Sequence, residues 1–580
     1  MKHFVRGAAT VLGALALAGA SAAEPTIPQA AHADHGTGFH RGHSMRAMLS
    51  MSAAVVHLAP VKTVPLYGGL GAVSFPITTT NPEAQRFFTQ GVAFSYGFNH
   101  AAAIASFREA QRLDPNCAMC WWGEAFAYGP NINAPMDGTG NARAFATAAY
   151  ADWLARNATP AERSMTAAMV KRYSLDPKAE RAVLDAIFAD AMLAASAAHP
   201  SHDDLALLAS EAAMNTRPWD YWGADKQPKE RIRDAVRLVE AVLARNPDHP
   251  QAAHLYIHLM ENGPDPKRAE AAADRLNKPL APALGHLVHM PAHIYYVRGR
   301  WQDSIRSNVA AAKSDEAWIR ASGDQGMVRY GYYPHNVHFL VTSAQMAGEM
   351  PTAIREARKL EKLLDPGVSS RVAWIQAINA APYFAAAQFE APAEILAMRA
   401  PDARLPYATA MRFYARAVAR AQQGNRAEFD KEIGSLRAVG NSDLLQPMID
   451  QGVPAAQLVQ LAEKVALARW AQANRRFGKA VELYLEAAKI EQSIPYMEPP
   501  YWYYPVNQSL GAALFQAKRY KEARDAFETA LAQSPHNGWV LYGLAASERA
   551  LGRTGQMRAS EAALQQAWSG DPRWLRMERL

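Results

Sequence analysis

Small residues, one aromatic and a closing proline recur in this chain in units of about 34 residues, and few folds accept such a pattern. In Ser509–Pro535 the pattern is carried by Leu510, Gly511, Ala523, Phe527, Ala530 and Pro535. In Gln90–Pro115 it is carried by Gly91, Ala103, Phe107, Ala110 and Pro115. The small residues let two paired helices approach closely. The aromatic ring fills the gap they leave, and proline ends the second helix. A single pair of helices cannot bury its own apolar faces, so successive pairs must stack into an array.

These residues resemble the tetratricopeptide (TPR) repeat family. The resemblance implies an all-α, TPR-like helical-hairpin solenoid, with the first helix of each pair lining a concave groove. Composition agrees with it: alanine is abundant, β-branched runs are few, and 580 residues exceed one compact core. The expected organisation is a signal peptide over 1–23, a flexible tail or strap over 24–80 and N-terminal repeats over 81–140. Helical repeats with an irregular start follow over 141–365, degenerate ones over 366–454, and C-terminal repeats with a cap over 455–580.

Seven of the 18 histidines fall between His254 and His338. They occur as HLYIH, HLVHMPAH and HNVH, and spacings of three and four place side chains on one helix face. Laid on the repeat, His254, His289 and His338 share the fifth position. His258 and His293 share the ninth, and His286 and His335 the second. The resemblance then implies one inward-facing band across three repeats. His254, His258, His289, His293 and His338 are expected at its centre, with His286 and His335 at its margin. Pro291 is expected to disturb the helix between His289 and His293. Glu211 is a candidate to ligate or to orient an imidazole, Glu211 or Glu261 to stand behind the ligands or act as a base, and Tyr295 or Tyr296 to assist. An insertion over 317–333 with Tyr330, Tyr332 and Tyr333 is a candidate lid.

Imidazole pairs four residues apart suit copper, zinc or iron, and a haem between facing histidines is the weaker variant. HLYIH lacks the glutamate of the HExxH protease pattern. A second His/Met set, His32, His35, His40 and His43 with Met45, Met48 and Met51, lies in the tail and suits copper or a plain linker. Lys2 and Arg6, the apolar run 8–20 and Ser21-Ala22-Ala23 read as an export signal, too short to span a bilayer. The only cysteines, Cys117 and Cys120, are one helical turn apart and are expected to pair in an oxidising compartment, as a staple or a redox pair.

The net charge of +7 is small for this length, and the basic residues are dispersed. That argues against nucleic-acid binding. Two functions remain. One is an exported metal-binding protein or metalloenzyme, with a small-molecule substrate in the catalytic case. The other is a scaffold holding a peptide or protein partner in its groove.

Overall fold

A computed structural model describes residues 64–580, apart from Asp137 and Pro279. The signal sequence and the His32–Met51 set lie outside the described residues. Helices run from Pro82–Tyr96 to Thr554–Ala567, and most pack chiefly on their neighbours in sequence. No strand occurs among the described residues; the only β pairings there are the isolated bridges Asn131–Ala134 and Trp222–Pro228.

The repeat residues do the packing their spacing implies. Phe107 is fully buried between two glycines of the flanking helices. A Cβ at Gly91 would lie 2.5 Å from its ring, and one at Gly123 2.4 Å. Phe527 repeats this between Gly511 and Gly543, at 2.7 and 2.2 Å. Local signals also hold. Thr159 caps Pro160–Val170 in a reciprocal capping box with Glu162. Cys117 and Cys120 are disulfide-bonded, with Cys117 at the N-cap of Ala118–Tyr128.

Two irregular segments take definite form, the first as the strap alternative and the second shorter than expected. The stretch after Val64 is a packed strap, since Val64, Leu70 and Phe75 are buried. Tyr67 N–H donates to Gln90 Oε1 at 2.8 Å, and Ala283 N–H donates to Gly69 O at 2.9 Å, just before the helix bearing His286. The insertion is also shorter than 317–333. The helix Trp301–Ser322 runs through its first part, leaving a turn and the π-helical segment Val328–Tyr332.

The C-terminal repeats pack back on the middle of the chain. Trp301 Nε1 donates to His536 O and Trp539 Nε1 to Gln345 O, both at 3.0 Å. Gly299 (φ +69°) meets Pro535 so closely that a Cβ would lie 1.8 Å from its carbonyl oxygen. The aromatic rings of Trp502 and Tyr503 pack on Phe384 and Tyr414. This fold-back carries Glu498 to the histidine helices.

Candidate metal centre

The helix Pro250–Met260 supplies His254 and His258, Gly285–His289 supplies His286 and His289, Pro291–Val297 supplies His293, and Tyr333–Ala347 supplies His335 and His338. Pro291 divides the second run at Met290 yet keeps His289 and His293 together. Gly285 lets its helix lie against Asp315 of the neighbouring helix, where a Cβ would sit 1.9 Å from Asp315 Oδ1.

Six of the seven imidazoles gather into two triads. His254, His258 and His286 form one, and His289, His293 and His335 the other; within each, the potential ligand atoms lie within 4.8 Å of one another. The expected ranking of positions is therefore corrected. His286 and His335 belong to the triads. His338, one turn on from His335, lines a separate space with Thr342, Trp374, Phe384 and Met497.

Hydrogen bonds fix the tautomers. Asn308 Nδ2 donates to Ser304 O at 2.8 Å, which turns its amide oxygen to His289 Nδ1 at 2.7 Å. Gln251 Nε2 donates to Glu211 Oε2 at 3.2 Å, which turns its oxygen to His254 Nδ1 at 2.9 Å. An amide oxygen only accepts, so both Nδ1 atoms carry hydrogen and both Nε2 atoms present lone pairs. His258 Nδ1 lies 2.8 Å from Glu261 Oε1, and its Nε2 has no partner. His293 Nδ1 bonds Glu498 Oε2 and lies 2.5 Å from Glu261 Oε2, which is off hydrogen-bond geometry. Nitrogen then faces nitrogen: His289 Nε2 to His293 Nε2 at 2.8 Å, and His254 Nε2 to His286 Nε2 at 3.1 Å. His286 Nε2, and His293 Nε2 in its protonated form, can donate across these contacts, and a cation can take the place of that proton.

Burial sets the charge states. It pushes His254 down to about 3, with help from His293, and holds His258, His286, His289 and His335 well below the usual range. His293 is the exception. Burial would lower it, but the Glu261 and Glu498 carboxylates prevail and raise it to about 10. Burial, then Glu498, holds Glu261 well above the carboxylate range. Neutral imidazoles are the form that binds metal.

Among the other candidates, Glu211 acts through Gln251, and burial raises it to about 7. Glu261 touches one histidine of each triad. Tyr296 packs on Trp301 and Phe339, and Tyr295 donates to Asp274 at 2.9 Å, so neither reaches the imidazoles. Tyr332 stacks near His286, with ring centroids 4.8 Å apart, and lines a cavity of about 60 Å³ with Trp219, Met327, Trp374 and Met497. The lining is rich in aromatic rings and thioethers, and the cavity has room for a few water-sized molecules at ~10–15 Å³ each. Sequence reasoning missed Gln251, Asn308 and Glu498. Asn308 was visible only as a helix-packing position.

Residues 514–578 match the family model described as Tetratricopeptide repeat. No curated protein sequence matches the chain. Among solved structures, human IFIT1 (a dimer with PPP-AAAA) is similar at 11% identity and a TM-score of 0.29, over 83% of this chain and 90% of that one. Cut9, from the APC/C hetero-tetramer Cut9–Hcn1, is similar at 12% identity and 0.25, over 84% and 90%. Yeast Tom70 is similar at 12% and 0.25, over 84% and 92%. The match places a tetratricopeptide repeat segment at one end of a chain whose described residues form stacked helical pairs.

Proposed function

We propose that the histidine cluster binds a transition metal and that the protein is an exported metal-binding protein or metalloenzyme. The observation that carries this reading is the orientation of the imidazoles. Four Nδ1 atoms face side-chain oxygens of Gln251, Glu261, Asn308 and Glu498, and Nε2 of His254 and of His289 faces a neighbouring imidazole. Metal-ligating histidines show this arrangement, with the outer contact holding tautomer and ring plane. The donor set is nitrogen-rich without thiolate, since both cysteines are bonded elsewhere. It suits copper, zinc or iron; the closely packed imidazoles leave little space for a haem. Three imidazoles per ion leave a coordination position for water or a small substrate. The Cys117–Cys120 bond fits an oxidising compartment.

Metal analysis of untagged protein tests this reading, and His258→Ala/His293→Ala should abolish bound metal while circular dichroism stays helical. Absence of metal from the wild type after incubation with copper, zinc and iron salts would refute it.

A second reading, a scaffold for a peptide or protein partner, has its own support. A cavity of about 550 Å³ opens among Tyr414, Arg469, Gln472, Tyr503, Gln508 and Arg579, far from the histidines in sequence. Retention of a partner by the His258→Ala/His293→Ala variant would separate that role from the metal.

A further inference from the structure

The two triads are built alike, and from this likeness we infer that the cavity holds two transition-metal dications, one per triad. This inference rests on the metal-binding reading above.

Each triad has its own phenylalanine. Phe98 packs on His254, His258 and His286 with ring centroids 4.7, 6.2 and 5.0 Å apart. Phe339 packs on His289, His293 and His335 at 4.9, 4.9 and 5.2 Å. Each triad also has its own orienting amide: Gln251 behind His254, and Asn308 behind His289. The carboxylate layer joins them, because Glu261 faces Nδ1 of His258 in one triad and of His293 in the other.

Coordination number then decides between one ion and two. Zinc in protein sites is almost always four-coordinate, with Zn–N bonds of about 2.0–2.1 Å, so two nitrogens on one ion lie roughly 3.4 Å apart. The two closest nitrogen pairs, at 3.1 and 2.8 Å, each lie inside a triad and are near that separation. One such four-coordinate ion cannot take all six imidazoles. His258 Nε2, His286 Nδ1 and Glu498 Oε1 are already buried without partners. The cavity is lined by His258 and His286 from one triad and by His293 and His335 from the other. Both ions would therefore face the same small space, where one small molecule reaches both.

Stripped, untagged full-length protein is to be reconstituted with zinc and, separately, with cobalt(II), and bound metal counted after dialysis. Two equivalents are expected in the wild type. His286→Gln and His335→Gln should each lower the count by one, and the cobalt absorption bands lost in one variant should persist in the other. Anomalous scattering from zinc-soaked wild-type crystals counts the ions without any variant, and two peaks are expected among these six histidines. A single peak, or a wild type that binds one equivalent and loses it in either variant, overturns the two-ion inference and leaves the metal reading intact. Two equivalents retained in both variants, with no peak at the cluster, place the ions elsewhere and overturn it. No bound metal in the wild type defeats both readings.

Discussion

Gly543→Ala tests whether the glycines of the repeat act by helix-to-helix approach or are merely tolerated. Gly543 lies inside the helix Gly538–Ala550, where alanine has the better helix propensity by about 1 kcal/mol. Its added Cβ, however, would meet Phe527 Cζ at 2.2 Å, against about 3.5–4.0 Å for normal carbon contact. The ring cannot retreat, because on its other side a Cβ at Gly511 would already lie 2.7 Å away. Overpacking of this kind costs ~1–3 kcal/mol, so the net effect should be destabilising by about 1–2 kcal/mol. Gly434→Ala is the control: it is exposed in mid-helix, has no atom within 4 Å of the new Cβ, and should stabilise by up to about 1 kcal/mol. The effect should appear as faster hydrogen exchange in the helix Tyr520–Gln533, which reads the loss locally in a repeat array. Adding Phe527→Leu should relieve the overlap, giving a favourable coupling of ~1–2 kcal/mol in a double-mutant cycle. If Gly543→Ala slows exchange as Gly434→Ala does, steric approach is not what these glycines supply.

Other outcomes follow from the same geometry. Acid should destabilise the metal-free protein. Burial holds His254 at about 3 and His100 at about 4, against ~6.5 for an unfolded imidazole, so the folded state binds fewer protons. Their contribution is complete above ~6.5 and is lost as pH falls below it, at most about 2 kcal/mol each by pH ~5. His293, raised to about 10, runs the other way and loses its contribution as pH climbs from ~6.5 toward that value. Urea midpoints of metal-free protein should fall between neutral pH and pH ~5, and equal midpoints would contradict the burial of neutral histidines. Asn308→Leu should free the His289 ring and weaken metal affinity ~10–100-fold with little change in helix content, measured by chelator competition. Alkylation of the unfolded, unreduced protein should label neither Cys117 nor Cys120, and labelling of both would show the pair to be open.

The repeat was legible because its signal is local. Gly91, Phe107, Gly511 and Phe527 lie within one or two helices of the partners they pack against. The same holds for the capping box at Thr159 and for the Cys117–Cys120 pair. The histidine face was legible for the same reason, since spacings of three and four fix neighbours along a helix. Which turn of that face enters the cluster was not. It depends on how far each helix slides along the next, and the break at Pro291, the close approach at Gly285 and the π-helical turn before Tyr333 all alter that register. The result exchanges His338 for His286 and His335.

Glu498 marks the limit of local reasoning most plainly. It stands 205 residues beyond His293, in an aromatic stretch that carries no ligand-like spacing. It reaches the cluster because the C-terminal repeats pack against Gly299, Trp301 and Gln345 of the middle of the chain. A solenoid whose units touched only their neighbours would offer the imidazoles just what those neighbours carry. Folding the array onto itself instead places a second carboxylate beside Glu261, and the two together hold a proton on His293 that burial alone would remove. Stability and site chemistry are thereby linked. Any change that loosens the C-terminal repeats from the middle of the chain withdraws Glu498, lowers the affinity of His293 for its proton and alters the charge facing the cavity.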